Sequence, residues 1–599
     1  MPQQRMQPRK NKRLAQLSEP FVEMQREVAC AVTKAAREAA LTPDSISFEV
    51  PPHPDFGDLA IPCFTLARIF KQNPAQIATQ LEKNISHPLI EKIQAAGPYL
   101  NIHFRPRELA SRVVGNIMPS KKFGHAPRTN ETIVIEYVSP NTNKPIHLGH
   151  ARNGFLGDSI SRLLNAAGKK VIKTCLINDR GIHICKSMVA YMERTKSERR
   201  KAALPTPSTT GKKGDHFVGD YYVLFEQLSK KDSSYKDKAS RCLLRWEAGD
   251  PETRALWKKM NAWVLSGFKE TFTALGLTFD RMYYESAIYK KGKEVIERAS
   301  KNRLIETDVS GAVIARLEPH GLPDKVLLRS DGTSLYITQD IYLAEHRLND
   351  FRADATLYVV GSEQDLYFKQ LFKIVELIEP KYARGLAHIS YGIVNLPEGR
   401  MKSREGTVVD IDDLLAELTE MAGKEFDERN AALPKKERDR RARIIALAAL
   451  KFYIIEVTPR SDMVFNPKES LSFQGRTGPY IQYTYARLIR IIKKSKTTET
   501  AIRKKPLSVL YDWRQERMVM LSLAKYPTTV QESAKSYDPS RLARYLYELA
   551  QTANEYYHAT PILAAEDPAR AQRLRLIVAA TSVLREGLAL LGIETLEEM

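Results

Sequence analysis

The sequence contains no G-x-x-x-x-G-K-[ST] loop, no G-x-G-x-x-G, no G-x-S-x-G and no H-E-x-x-H. These absences argue against a P-loop ATPase, a dinucleotide enzyme, an α/β-hydrolase and a zincin. Cysteine is scarce. Five thiols, at Cys30, Cys63, Cys175, Cys185 and Cys242, are scattered and odd in number with no C-x-x-C pair. That pattern excludes a disulfide framework or zinc ribbon and suits a reducing compartment. Long apolar runs are also missing: the longest, 444–457, carries Lys451 and Glu456 and falls short of the roughly 18 residues of a membrane span. The N-terminus has no apolar signal core. The simplest expectation is a cytoplasmic protein without a membrane partner.

What is present is length and positive charge. At 599 residues the chain exceeds any single core, and about 150 residues per domain leads to an expectation of three to five units. The formal net charge is +21, spread along the chain, which favours a large polyanionic partner, nucleic acid first among them. Only residues 1–18, polar and basic with Arg5, Arg9, Lys10, Lys12 and Arg13, lack any periodicity to bury, and they read as a disordered lead.

Periodicity divides the remainder. Residues 19–125 read as a small α+β domain, with a helix from Phe21 and a strand 99–104. From 126 to 410 strands at 132–138, 170–177, 355–360 and 389–394 alternate with helices at 149–167 and 368–378, the pattern of a doubly wound parallel sheet. An insertion at about 190–330 interrupts it, opening with a Lys-, Pro- and Ser-rich loop at 195–215. Residues 411–470 read as a helical linker and 471–599 as a helical bundle. In the bundle Leu542, Leu546, Leu549, Ala553 and Tyr556 follow Asp538-Pro539, an N-cap with proline at the first helical position, and Leu574, Ile577, Leu584, Leu588 and Leu591 form a second stripe.

The most informative stretch runs from Glu136 to His150, EYVSPNTNKPIHLGH: a strand, a Pro- and Asn-rich turn, and a helix start. A helix N-terminus offers free N–H groups and a positive dipole end. Lys144, His147 and His150 add donors around the small Gly149, an arrangement suited to polyphosphate. Far downstream, Gly399 to Thr407 (GRMKSREGT) is a glycine-bounded basic loop just ahead of a helix, a device that can close over phosphates as charge develops.

His147-Leu148-Gly149-His150 resembles the HIGH signature of class I aminoacyl-tRNA synthetases, and Arg400-Met401-Lys402-Ser403 stands where their KMSK loop does, about 250 residues later. Further words at 336–341 (YITQDI), 361–366 (GSEQDL) and 477–483 (TGPYIQY) narrow the resemblance to the arginyl-tRNA synthetases, over nearly everything from residue 20 onward.

The resemblance implies that L-arginine and ATP form arginyl-adenylate and that the arginyl group passes to the terminal adenosine of tRNA(Arg). It implies a Rossmann-type catalytic domain between an N-terminal tRNA-binding domain and a helical anticodon-binding domain, acting as a monomer. Mg²⁺ accompanies ATP, and no structural metal is indicated. ATP falls to His147, Gly149, His150, Met401, Lys402 and Ser403. Glu136 and Asp340 are expected to grip the substrate guanidinium, with Asn141, Tyr336 and Gln364 completing the pocket, since planar bidentate pairing needs carboxylates and rejects lysine's point charge. The last KMSK position is Ser403, so the missing cation is expected from Lys144. Tyr480, Tyr483 and Arg487, at i, i+3 and i+7, suit base stacking and phosphate contact, and Tyr99 and Asn101 are expected to meet a D-loop base. A class I synthetase for lysine and an inactive synthetase-like RNA-binding protein are the alternatives.

Overall fold

A computed structural model describes residues 19–36, 41–51, 53–198, 204–299, 305–330, 335–395, 397, 409–429, 433–506 and 514–599. The basic lead 1–18 and the segment Arg400–Ser403 lie outside the described residues. Helix α1 (Pro20–Ala36) buries Met24, Val28 and Val32 in one core with a three-stranded antiparallel sheet of β1 (Leu59–Pro62), β2 (Ile90–Ala96) and β3 (Tyr99–Phe104), in the order β1-β3-β2. Gly97, at φ +57°, opens the two-residue turn between β2 and β3, a position where a hairpin needs positive φ. Strand β2 escaped the sequence reading because its Glu, Lys, Gln and Ala are poor strand formers. Helix α2 (Pro106–Ile117) ends this unit.

The central sheet is wholly parallel, with strands β4 (Thr132–Glu136), β5 (Lys170–Ile177), β6 (Arg281–Tyr284), β10 (Ala355–Gly361) and β11 (Leu386–Tyr391) in the order β11-β10-β4-β5-β6. Every residue of β4 is buried, as expected for a parallel strand covered on both faces. Strand order reverses between β4 and β10, so the crevice beyond their carboxyl ends is where such a sheet binds ligands. Helix α3 (Leu148–Ala166) lies tightly on the sheet: a Cβ at Gly157 would stand 2.3 Å from the Tyr137 ring, and one at Gly154 2.6 Å from Leu277 Cδ1.

Between β5 and β6 stand α4 (Ile182–Glu198), α5 (Gly214–Lys231), α6 (Ser234–Glu247) and α7 (Pro251–Leu275). The insertion therefore splits: its helices end at Leu275 and the chain returns to the sheet at β6, a four-residue edge strand too short to register in the sequence pattern. Helix α8 (Glu285–Ala299), a small antiparallel sheet of β7 (Ile305–Thr307), β8 (Val313–Ala315) and β9 (Lys325–Leu328), and helix α9 (Tyr336–Phe351) follow. Helix α10 (Asp365–Ile378) links β10 to β11.

Helices α11 (Ile411–Arg429) and α12 (Lys435–Ile455) lead to the bundle of α13 (Gly478–Lys494), α14 (Arg514–Ala524), α15 (Ser540–Ala559) and α16 (Ala569–Leu590). Both leucine-rich stripes are buried. Helix α15 begins one residue later than Asp538-Pro539 implies, and Asp538 still caps it by accepting from the Ser540 N–H at 3.0 Å. The bundle docks on both other units. Lys451 Nζ and Arg162 Nη1 donate to the carbonyls of Gly592 and Ala589 at 2.7 and 3.2 Å, while Arg517 of α14 meets Asp58 at 2.8 Å. Among the described residues no helix is long and apolar enough to cross a membrane.

Candidate active site

The site grows from the turn that ends β4. Val138 and Ser139 have φ of +70° and +42°, a region that side chains other than glycine's rarely occupy and that costs on the order of 1–3 kcal/mol per residue. Neighbours hold the strain in place. Val138 N–H donates to Asn153 Oδ1 at 2.5 Å, and Asn153 Nδ2 donates onward to Val359 O at 2.7 Å and Tyr391 OH at 3.2 Å. Ser139 Oγ donates to Glu136 Oε1 at 3.0 Å and accepts from Leu176 N–H at 3.1 Å. The turn is thereby pinned to three strands of the sheet. Asn141 sits half-buried beyond it, bridged to Asn178.

Next comes the corner holding Lys144, His147 and His150. Leu148 N–H donates to Val409 O and Ile411 N–H to Ile146 O, both at 3.2 Å, so the chain ahead of α11 closes one side. His147 is the N-cap of α3, and its N–H donates to His150 Nδ1 at 3.3 Å, with the rings 3.8 Å apart. A Cβ at Gly149 would press to 3.1 Å of the His147 ring. Burial, reinforced by the Lys144 charge, lowers the pKa of His147 to about 3; burial with the charges of His147 and Lys144 takes His150 well below the usual imidazole range. Both rings are therefore neutral near pH 7. His150 accepts at Nδ1 and so carries its proton on Nε2, and His147 Nδ1 is buried without a partner. Burial also lowers Lys144, whose ammonium is the positive side chain of the corner.

Arg152, one turn into α3 and fully buried, donates to four carbonyls: Gly392 and Ile393 at 3.0 and 3.2 Å, Pro459 and Ser461 at 3.1 and 2.7 Å. It ties the histidine helix to the chain just ahead of residues 399–408. Met401, Lys402 and Ser403 fall outside the described residues.

The carboxylates follow. Glu136 is ion-paired with Arg347 of α9, which is completely buried. The pair compensates the buried guanidinium, since an unpaired cation at Arg347 would be far costlier to bury. Asp340, two turns earlier on α9, accepts from Tyr367 OH, and burial together with the Glu136 charge pushes it up to about 6.

Glu285 was missed. It is the first residue of α8, is 1% exposed, and accepts from Gln339 Nε2 at 3.2 Å, while its Oε2 is buried with no partner. Burial, with the charges of Asp179 and Asp340 adding to it, pushes Glu285 up to about 7. It lines a cavity of about 900 Å³ with Arg180, Gly181, Tyr289, Tyr336 and Gln339, where Tyr336 is 55% exposed. A signal was available, because the run Met282-Tyr283-Tyr284 ending in Glu285 repeats the strand-then-carboxylate pattern of Ile133 to Glu136. Gln364 is exposed just before α10.

Two further surfaces carry the residues read as RNA contacts. Arg487 lies over Tyr483 and Tyr557, 4.8 and 5.2 Å from the ring centroids. These three, with Arg490 and Lys494, line a cleft of about 930 Å³. Tyr480 does not line it: its hydroxyl accepts from Asn554 Nδ2 at 3.1 Å and its ring packs on Tyr547. In the N-terminal sheet Tyr99 meets exposed Phe64 edge-on at 5.8 Å. Asn101 is 6% exposed in the central strand β3. It pairs with Ala60 of β1 on one side and Gln94 of β2 on the other.

Asp215, His216 and Asp412 bring potential metal-ligating atoms together. Lys213 Nζ already supplies the cation there, 2.5 Å from Asp412 Oδ2 and 3.3 Å from Asp215 Oδ2.

Comparison with known proteins agrees with this layout. Residues 113–466 match the family described as tRNA synthetases class I (R), catalytic domain. Residues 481–599 match the DALR anticodon binding domain and 23–104 the arginyl tRNA synthetase N terminal domain. The chain is 42% identical over 571 residues to the arginine–tRNA ligase of Treponema denticola, covering 93% of this chain and 96% of that protein. It is 39% identical over 570 residues to that of Parabacteroides distasonis, covering 91% and 94%. The solved arginyl-tRNA synthetase of Thermus thermophilus superposes with a TM-score of 0.77 at 26% identity, over 96% of this chain and 100% of that one. The Plasmodium falciparum structure gives 0.78 at 18% identity over 98% and 100%, a likeness of fold.

Proposed function

The chain belongs to the class I arginyl-tRNA synthetases, with the activity of an arginine–tRNA ligase, and on that premise we propose the following division of labour in its site. Asp340 and Glu285 receive the guanidinium of L-arginine, Tyr336 forms a wall of that pocket, and Asn141 and Gln364 hold the amino-acid end. The corner of Lys144, His147 and His150 at the start of α3 receives ATP, which enters as its Mg²⁺ complex. The arginine carboxylate oxygen attacks the α-phosphorus, the bond to the β-phosphate oxygen breaks, and pyrophosphate leaves. A ribose hydroxyl of the terminal adenosine of tRNA(Arg) then attacks the carbonyl carbon and AMP departs.

The observation that carries this reading is the pair of buried carboxylates with spare acceptor capacity, Glu285 Oε2 and Asp340, ahead of a neutral-imidazole, single-ammonium corner. A guanidinium satisfies two planar acceptors at once, each charge-assisted bond contributing roughly 1.5–3 kcal/mol. A lysine ammonium of the same charge lacks that fork. The two neutral imidazoles suit N–H donation to phosphate oxygens without competing for the proton, while Lys144 offsets the charge that builds on the departing phosphates. Lys402 supports it.

The tRNA meets the cleft of Tyr483, Arg487 and Tyr557 with its anticodon and the Phe64–Tyr99 surface with its elbow. The five cysteines are free thiols, which suits the reducing cytoplasm; the enzyme works there as a monomer. Charging of unfractionated tRNA with labelled arginine tests the assignment. Arginine accepted by tRNA in an ATP-dependent reaction is the expected result, and charging with a different amino acid in its place would refute it.

A further inference from the structure

The cavity holding Tyr336 and Glu285 also holds a guanidinium that belongs to the chain. Arg180, in the turn between β5 and α4, has a side chain only 11% exposed. It is ion-paired with Glu247 of α6, and its Nη1 stands 3.6 Å from Glu285 Oε1. Its Cζ lies 4.3 Å from the Tyr289 ring centroid and 5.8 Å from that of Trp246. Carboxylates at the edge and aromatic faces above are what holds a guanidinium in a protein.

Arg180 is also fixed relative to Glu285 through the backbone. Asp179 accepts from Ser286 N–H at 2.9 Å and Ser286 Oγ at 2.7 Å, and its carbonyl accepts from Trp257 Nε1 at 2.6 Å. The residue before the arginine thus grips the residue after the glutamate. Charge then counts simply: Glu247 and Glu285 are two carboxylates sharing one arginine, so one negative charge is left for a cation from outside. Elsewhere in the site Glu136 pairs with Arg347, whose charge is also felt by Asp340.

We propose that Arg180 is a specificity-determining positioning residue of the substrate guanidinium site, a resident cation that keeps Glu285 ionised and its second oxygen available to the substrate. This rests on the reading of Glu285 as a guanidinium ligand. A carboxyl group at 1% exposure favours its neutral form, which has lost one of its acceptors and all of its charge. A nearby cation opposes that loss, and Glu247 neutralises the cation so that it does not repel the incoming substrate. Facing Glu285 are Asp179, Arg180 and His183 from the β5–α4 side, Glu247 from α6, Tyr289 and Lys290 from α8 itself, Arg329 after β9, and Tyr336 and Asp340 from α9. Among the described residues Arg180 is the one cation within ion-pair distance of it.

Removing Arg180 raises the pH at which Glu285 ionises, so the damage is greatest at the acid end of the range and fades as the pH climbs. The test is the arginine KM in ATP–pyrophosphate exchange with tRNA present, from pH 6 to 9, for the wild type, Arg180→Gln, Arg180→Lys and Glu285→Gln. With Glu285 at about 7 in the wild type, a shift of one pH unit in ionisation corresponds to about a tenfold rise in KM at pH 6 for Arg180→Gln, and to about half of that at pH 7. The ATP KM stays put, the deficit closes by pH 9, and Arg180→Lys recovers most of the loss. A deficit in Arg180→Gln that is flat with pH, or no deficit, while Glu285→Gln still raises KM, overturns the proposal. An arginine KM unmoved by Glu285→Gln at every pH overturns the ligand reading beneath it instead.

Discussion

Replacing Lys144 with alanine separates electrostatics from hydrogen bonding at the phosphate corner. Both imidazoles are held neutral, His147 with its pKa lowered to about 3, so near pH 7 Lys144 is the cationic side chain of that corner. Lys144→Ala removes the ammonium while leaving the His147–His150 bond, the bridge of Ile146–Leu148 to Val409–Ile411 and the Asn153 clamp on the turn intact. Loss of a single preorganised donor to developing charge costs about 2.7–4 kcal/mol, or roughly 10²–10³ in rate. The assay is the kcat of ATP–pyrophosphate exchange at saturating arginine and tRNA, alongside the melting temperature. The expected variant melts like the wild type, shows an ATP KM changed far less than kcat, and exchanges at least about 10² more slowly. A kcat within a factor of about three would refute the assignment of the missing KMSK cation to Lys144 and return it to Lys402.

Three other consequences follow from the same geometry. Arg347→Met leaves Glu136 buried without its partner, which costs about 3–5 kcal/mol of stability; chemical denaturation measures it, and adding Glu136→Gln in the same chain recovers a large part. For the wild type, Asp340 and Glu285 are pushed up to about 6 and about 7, and a guanidinium pairs only with their ionised forms. The arginine KM therefore falls as pH rises from 6 to 8 while the ATP KM is flat; a KM that rises over that range contradicts the sign. Tyr557→Ala removes one ring of the Tyr483–Arg487–Tyr557 cleft; at roughly 1–3 kcal/mol per stacked base it raises the tRNA KM about 5- to 150-fold with little change in arginine KM.

The parts legible in the sequence were those fixed by local pattern. Alternation gave the parallel sheet, the strand–turn–helix at residues 132–166 and both stripes of the bundle, since each depends on spacing within one element. Strand β6 was lost because four residues at a sheet edge carry too few positions to show a period, and its loss hid Glu285, which it delivers to the pocket. The partner of Glu136 was hidden for a different reason. A charged residue at a strand end announces a functional carboxylate, but whether that carboxylate is free depends on a partner 211 residues away by number, Arg347 against Glu136, which no local pattern names. The burial of Asn101 was hidden likewise: alternation says that neighbouring residues of a strand face opposite ways, not that β3 is central. Tyr483 and Arg487 fell where helical spacing put them, while Tyr480, on the same helix, turned to Asn554 and Tyr547.

The central claim is that two buried carboxylates select a guanidinium for adenylation. ATP–pyrophosphate exchange with arginine, lysine and glutamine, each with and without tRNA, tests it most directly. The account predicts exchange driven by arginine and not by lysine or glutamine. Exchange driven by lysine, or none with any of the three in the presence of tRNA, would contradict it.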